Sequence, residues 1–198
     1  MTYKIIKPFL WDNDDLMGTP KKELRLEYNR YIEMIPERIS YLRDSIRSTR
    51  GYENWSPDFS LESLIPLCSW LKTKAGLRPM TEKERSNYIL EFGHLTKNIE
   101  SECYLNTELT DSLSFDTAIY YSETVLNVNK KLSRIHFLNG SRNNMNFGRP
   151  VLAGKTKFYF DINQVVQVII AQILYNEYDD PRDDIFIETY YNNLDGMF

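Results

Sequence analysis

His94 and His136 are the only two imidazoles in the chain, and a serine or cysteine nucleophile needs a base of that kind beside it. His94 follows Gly93 on a helical stripe, and His136 alternates with Ile135 and Phe137 as a strand residue does. Both settings read as structural. Carboxylates offer another route to acid–base chemistry. Glu123 and Asp161 are the inward-facing candidates, though nothing in their spacing brings them together. Cys68 and Cys103 lie far apart, with no CxxC or Cys/His spacing, so they read as free thiols and imply neither zinc nor a disulfide framework. In "DNDDLMGTPKKE", Asp12, Asp14 and Glu23 occupy positions 1, 3 and 12 of a calcium loop, but Leu16 takes the fifth position and Met17 the obligatory glycine site. In "GRPVLAGKT", Gly154 follows Gly148 by six positions where the phosphate-binding loop has five, and strand-like residues follow. No cofactor, metal or catalytic set is expected from these patterns.

Charge is distributed more sharply than the net value of −4 suggests. From Lys130 to Lys157 stand Lys130, Lys131, Arg134, Arg142, Arg149, Lys155 and Lys157, with no carboxylate among them. From Asp161 onward stand Asp161, Glu177, Asp179, Asp180, Asp183, Asp184, Glu188 and Asp195 against Arg182 alone. Basic strands interleaved with Phe147, Phe158 and Tyr159 could bind phosphates and stack bases. The anion-binding set would be Arg134, Arg142, Arg149, Lys155 and Lys157. The adjoining acidic segment would repel the same polyanion. The acidic end instead suits a basic protein partner, with carboxylates steering its approach and aromatic rings anchoring it. Tyr178, Asp179, Asp180, Asp183, Asp184, Tyr190 and Tyr191 form that candidate surface. A solvated rim and a solvated tail account for the same charges without any partner.

Elements that would position these groups follow from periodicity. "KKELRLEYNRYIEMIPERISYLRDSIRS" spaces Tyr28, Ile32, Ile35, Ile39, Leu42 and Ile46 as one face of a helix, with a kink or break expected at Pro36. A second helix runs from Ser60 to about Lys74, with Leu61, Leu64, Leu67, Cys68 and Leu71 inward. Thr81 and Glu84 have capping-box spacing and open a third. "SFDTAIYYSETVLNVNKKL" predicts a fourth, with Phe115, Ile119, Val125 and Leu126 on one side. Strands are expected at 133–138, 149–153 and 157–160. Asp161 then caps a helix whose Ile162, Val165, Val166, Val168, Ile169, Ile170, Ile173 and Leu174 leave little polar face, which places it in the core. "IFIETYYNNL" makes a short last helix. The expected class is α+β, a predominantly helical single domain over 1–198 with a small antiparallel sheet of about three strands within 133–160. Its helical N-terminal part covers about 20–104, and a helix–sheet–helix part about 112–198.

The start, "MTYKIIKPFLWDNDD", carries too short an apolar run for a signal peptide. "VVQVIIAQIL" reaches about half a membrane span. A soluble cytoplasmic protein is expected.

"WSPDFSLESLIPLCSWL", "FDTAIYYSETVLNVNKKLSRIHF" and "FGRPVLAG" together resemble small uncharacterised bacterial proteins of the toxin-immunity type. In these an Asp-Phe-Ser-x-Glu-Ser-Leu segment opens a helix, a Tyr-x-x-Glu helix precedes a strand, and an Arg-Pro-Val-Leu strand follows. Such proteins usually carry a tryptophan after the Tyr-x-x-Glu helix, where this chain has Phe137 nearby. The resemblance implies a non-enzymatic binding protein that occludes a partner, possibly a basic toxin domain, and transfers no site residue. Binding of nucleic acid or another polyanion through 130–157 is the alternative, and a small hydrolase the third reading.

Overall fold

The computed structural model describes residues 3–7, 9–12, 16, 18–92, 104–155, 159–175 and 182–195. It is α+β and mostly helical, with six α-helices and two small antiparallel sheets among those residues. Its axis is α4, Glu108–Val128, which is buried at nearly every position from Thr110 to Val125. A helix enclosed on all sides normally reads as apolar throughout. This one carries Thr110, Ser112, Ser114, Thr117, Ser122 and Thr124 between its Leu, Ile, Phe and Tyr residues. Small hydroxyl side chains let neighbouring elements approach closely. Thr107 caps its start by accepting from the Thr110 amide at 3.1 Å, and Thr110 Oγ1 both donates to the Gly76 carbonyl and accepts from the Gly76 amide. The helix therefore begins seven residues before the expected "SFDTAIYY" and is fastened to the chain that follows α2.

α1, Lys21–Arg47, runs through Pro36 as one helix rather than two. Its buried stripe is Leu24, Tyr31, Ile35, Arg38, Leu42 and Ile46. That is rotated from the expected one: Tyr31 and Arg38 face inward, and Ile32 is 37% exposed. α2, Leu64–Lys74, has Pro66 in its first turn, where an amide has no helical partner anyway. Phe9 and Trp11 stack at 4.5 Å and pack with Tyr31 and Phe115 between α1 and α4.

β1, Leu77–Pro79, pairs with β2, Tyr104–Asn106, a two-stranded sheet that periodicity does not reveal. Between them α3, Glu82–Phe92, opens on the expected capping box: Thr81 N to Glu84 Oε2 is 2.8 Å and Glu84 N to Thr81 Oγ1 is 3.3 Å. Arg78 and the Thr81 donors hold the Glu84 carboxyl down at about 2, below its ordinary value. A depressed carboxylate stabilises above its unfolded pKa and loses that contribution as pH falls through the folded one. The α3 amide resonances should therefore hold their native positions on acidification until about pH 2. An earlier transition near pH 4.5 that is absent from Glu84→Gln would show that the box does not form.

The main sheet has the order β3–β4–β5, with β3 at Ser133–His136, β4 at Pro150–Ala153 and β5 at Tyr159–Phe160. Every residue of β4 is buried. The connection from β3 to β4 is a long loop rather than a tight Asn139-Gly140 turn. It is closed by Phe137 N to Arg149 O at 3.0 Å and Gly148 N to Phe137 O at 2.9 Å. Gly148 sits at φ +78°, and a Cβ there would meet both Leu24 methyls at 3.2 Å, so glycine is required on two counts. α5, Ile162–Tyr175, buries Ile162, Val166, Ile169 and Ile170. Val168 is 59% exposed, so the helix is seated on one face and not enclosed as expected. α6, Ile185–Tyr190, passes into a π-helical turn at Tyr191–Asp195, and Phe186 and Tyr190 are buried. No helix among the described residues is long and apolar enough to cross a membrane.

Candidate functional site

The basic strands meet α1, α4 and the start of α5 around a small concavity, about 200 Å³ with its open mouth, lined in part by Tyr31, Ser122, Arg134 and Asn163. Arg134 on β3 points back to α4, donating to Ser122 Oγ at 2.7 Å and pairing with Glu123 Oε1 at 2.8 Å. Asp161 caps α5 through the Asn163 amide at 3.0 Å and accepts from Arg149 Nη1 at 3.1 Å. Burial raises the Asp161 carboxyl above its ordinary value, opposed by Arg149 and the amides. Glu123 and Asp161, which sequence could not connect, both act on the hydroxyl of Tyr31. Each nevertheless has its own arginine.

Of the expected anion-binding set, then, Arg134 and Arg149 are paired with carboxylates and are only 12% and 20% exposed in their side chains. Arg142 lies over the Phe147 ring and donates to the Thr19 carbonyl at 3.3 Å. Lys155 is exposed. Gly154 and Lys155 lead into β5 and not into a helix, which removes the phosphate-loop reading. His136 stacks flat on Tyr28 at 4.5 Å with Nε2 against the Gly148 carbonyl at 3.2 Å, and burial lowers its pKa. Cys68 is a buried free thiol. Lys157, His94, Cys103 and the side chains of the calcium-like segment, Asp12 and Asp14, lie outside the described residues.

At the acidic end, Tyr178, Asp179 and Asp180 also lie outside the described residues. Asp183 pairs with Lys72 of α2 at 2.8 Å. Arg182 bridges Asp184, at 3.6 Å, and Glu188. Tyr190 is 3% exposed and belongs to the core, so it is no anchor for a partner. A six-residue helix has an inward side, and the periodicity of two adjacent tyrosines does not say which one takes it. Tyr191 is 55% exposed and rests edge-on against Tyr190 at 5.3 Å. Asp184, Glu188 and Tyr191 follow at four- and three-residue steps and so share a face.

The quoted motifs work as fasteners. Tyr120 of the Tyr-x-x-Glu pattern holds the Asp-Phe-Ser loop through Ser63 Oγ at 2.6 Å and the Phe59 amide at 3.2 Å, with Phe59 at φ +59°. Sequence reasoning missed the most buried charges altogether. Arg38 and Asp116 form a two-point ion pair at 2.6 and 2.7 Å, Tyr3 donates to the same carboxylate, and Arg38 Nη1 donates to the Lys4 carbonyl at 3.0 Å. The available signal was an arginine three positions from Ile35 and four from Leu42, inside an apolar stripe. No protein-family model matches the chain, and no curated protein or solved structure matches it either.

Proposed function

We propose that this chain is a non-enzymatic binding protein of the toxin-immunity type, acting in the bacterial cytoplasm, and that it covers a protein partner with the outer face of α6. The supporting observation is Tyr191, an exposed ring propped on the buried Tyr190 and sharing its face with Asp184 and Glu188. A tyrosine held in one orientation gives contact area with little further loss of side-chain freedom, which suits an interface anchor. Half-exposed carboxylates beside it favour a basic partner. The polyanion reading has less behind it, because Glu123 and Asp161 neutralise Arg134 and Arg149.

The test is binding to the product of the neighbouring gene. Tyr191→Ala should speed dissociation roughly 30-fold, the size of a hot spot. Asp183→Asn with Asp184→Asn should slow association and flatten its salt dependence. Wild-type kinetics in both variants would reject this face, and saturable binding to single- or double-stranded nucleic acid at low salt would favour the basic strands instead.

A further inference from the structure

The concavity beside Arg134 holds more hydrogen-bond donors than acceptors to satisfy them. Tyr31 is 97% buried by its ring packing with Phe9, Trp11 and Phe115 (3% exposed), yet its hydroxyl has no hydrogen-bond partner among the described residues. The Asn163 carboxamide on the opposite wall has none either, and Ser122 accepts from Arg134 while its own proton is unplaced. Just behind, the Nε of Arg149 is buried without a partner. Buried donors left in this state are costly unless something accepts from them. The one acceptor that reaches Arg134 from the solvent side is Glu123, whose side chain is 28% exposed and can turn outward into water.

We infer that this concavity is a binding site for an oxyanion, a carboxylate or phosphoryl group, that accepts from Tyr31 and Asn163 and takes the place of Glu123 on Arg134. The arginine's planar fork suits two-point recognition of such groups. Burial pushes the Tyr31 hydroxyl up to about 12, so it remains a donor at neutral pH. The narrow depth and open mouth admit one oxygen of the anion while the rest of the ligand stays outside, so the group can belong to a free small molecule or to a larger one.

The whole chain is titrated with sodium acetate in one arm and inorganic phosphate in the other, at constant ionic strength against chloride, following the Asn163 side-chain amide and Arg134 Nε resonances. Saturable shifts with acetate assign a carboxylate, and with phosphate a phosphoryl group. Arg134→Met should weaken binding about tenfold or more, and Tyr31→Phe, which keeps the ring packing, several-fold. Glu123→Gln should tighten it several-fold, because the arginine no longer has a competing carboxylate. A purely structural Arg134–Glu123 pair predicts no such gain. Absence of saturable shifts with both anions in the wild-type protein overturns the assignment, as does binding that is unchanged by Tyr31→Phe and by Asn163→Ala.

Discussion

Arg38→Met should lower the unfolding free energy by about 3–5 kcal/mol, because it leaves Asp116 buried without its counter-ion. Arg38 and Asp116 are 1% and 0% exposed in their side chains. The guanidinium meets both carboxylate oxygens and carries the Lys4 carbonyl on its remaining nitrogen. One substitution therefore also loosens the N-terminal segment that brings Phe9 and Trp11 into the core. A longer apolar side chain does not rescue a lone buried charge, but removing the charge does. Arg38→Met combined with Asp116→Leu should regain most of the loss, as replacement of a whole buried pair often does. The pH dependence separates the two variants. In the native protein burial already raises the Asp116 carboxyl to about 6, with Arg38 and Tyr3 pulling it down, and without Arg38 it rises further. A carboxyl raised in the folded state takes up a proton there before the unfolded chain does. Its stabilisation is thus complete at low pH and lost as pH rises through the folded value. The Arg38→Met deficit should be smaller at pH 5 than at pH 8, and the double variant should lose that dependence. Urea unfolding at the two pH values measures both effects; a single variant within 1 kcal/mol of wild type would show that the pair contributes little.

Ile169→Asp should be as severe. Ile169 is 2% exposed and packs in the larger of the two apolar clusters, with Val166 and Ile170 beside it and Leu152 and Tyr121 among its other members. An unpartnered carboxylate in such surroundings costs several kcal/mol, a large part of the roughly 5–15 kcal/mol that holds a domain folded. The neighbouring Val168→Asp provides the control. Val168 is 59% exposed on the outer face of α5, and a surface change of this kind falls within about 0.5 kcal/mol of wild type. Thermal unfolding of the two variants side by side tests how the helix sits. Equal losses would mean that α5 is enclosed on both faces, and a negligible loss at Ile169 that it is not seated on α4 at all.

The contrast between residues 168 and 169 also marks where sequence stops being informative. Local period and local chemistry were legible: the capping box of Thr81 and Glu84, the strands near 133, 150 and 159, the cap at Asp161, and the helices on either side of them. Each depends on interactions between residues a few positions apart. Which face of a helix turns inward does not, and in three places tertiary packing decided it. α1 turned Tyr31 and Arg38 inward in place of Ile32 and Ile39, because Asp116, distant in the chain, offers the arginine a partner. α4 became the central helix despite six buried hydroxyl residues, since their small size permits close approach on every side. Tyr190 went into the core and left Tyr191 outside, because the short α6 packs one side against α2. The charge split was visible in sequence as opposing segments. Only the folded chain paired Arg134 with Glu123, Arg149 with Asp161 and Asp183 with Lys72, since an ion pair forms with whichever opposite charge the packing brings within about 4 Å.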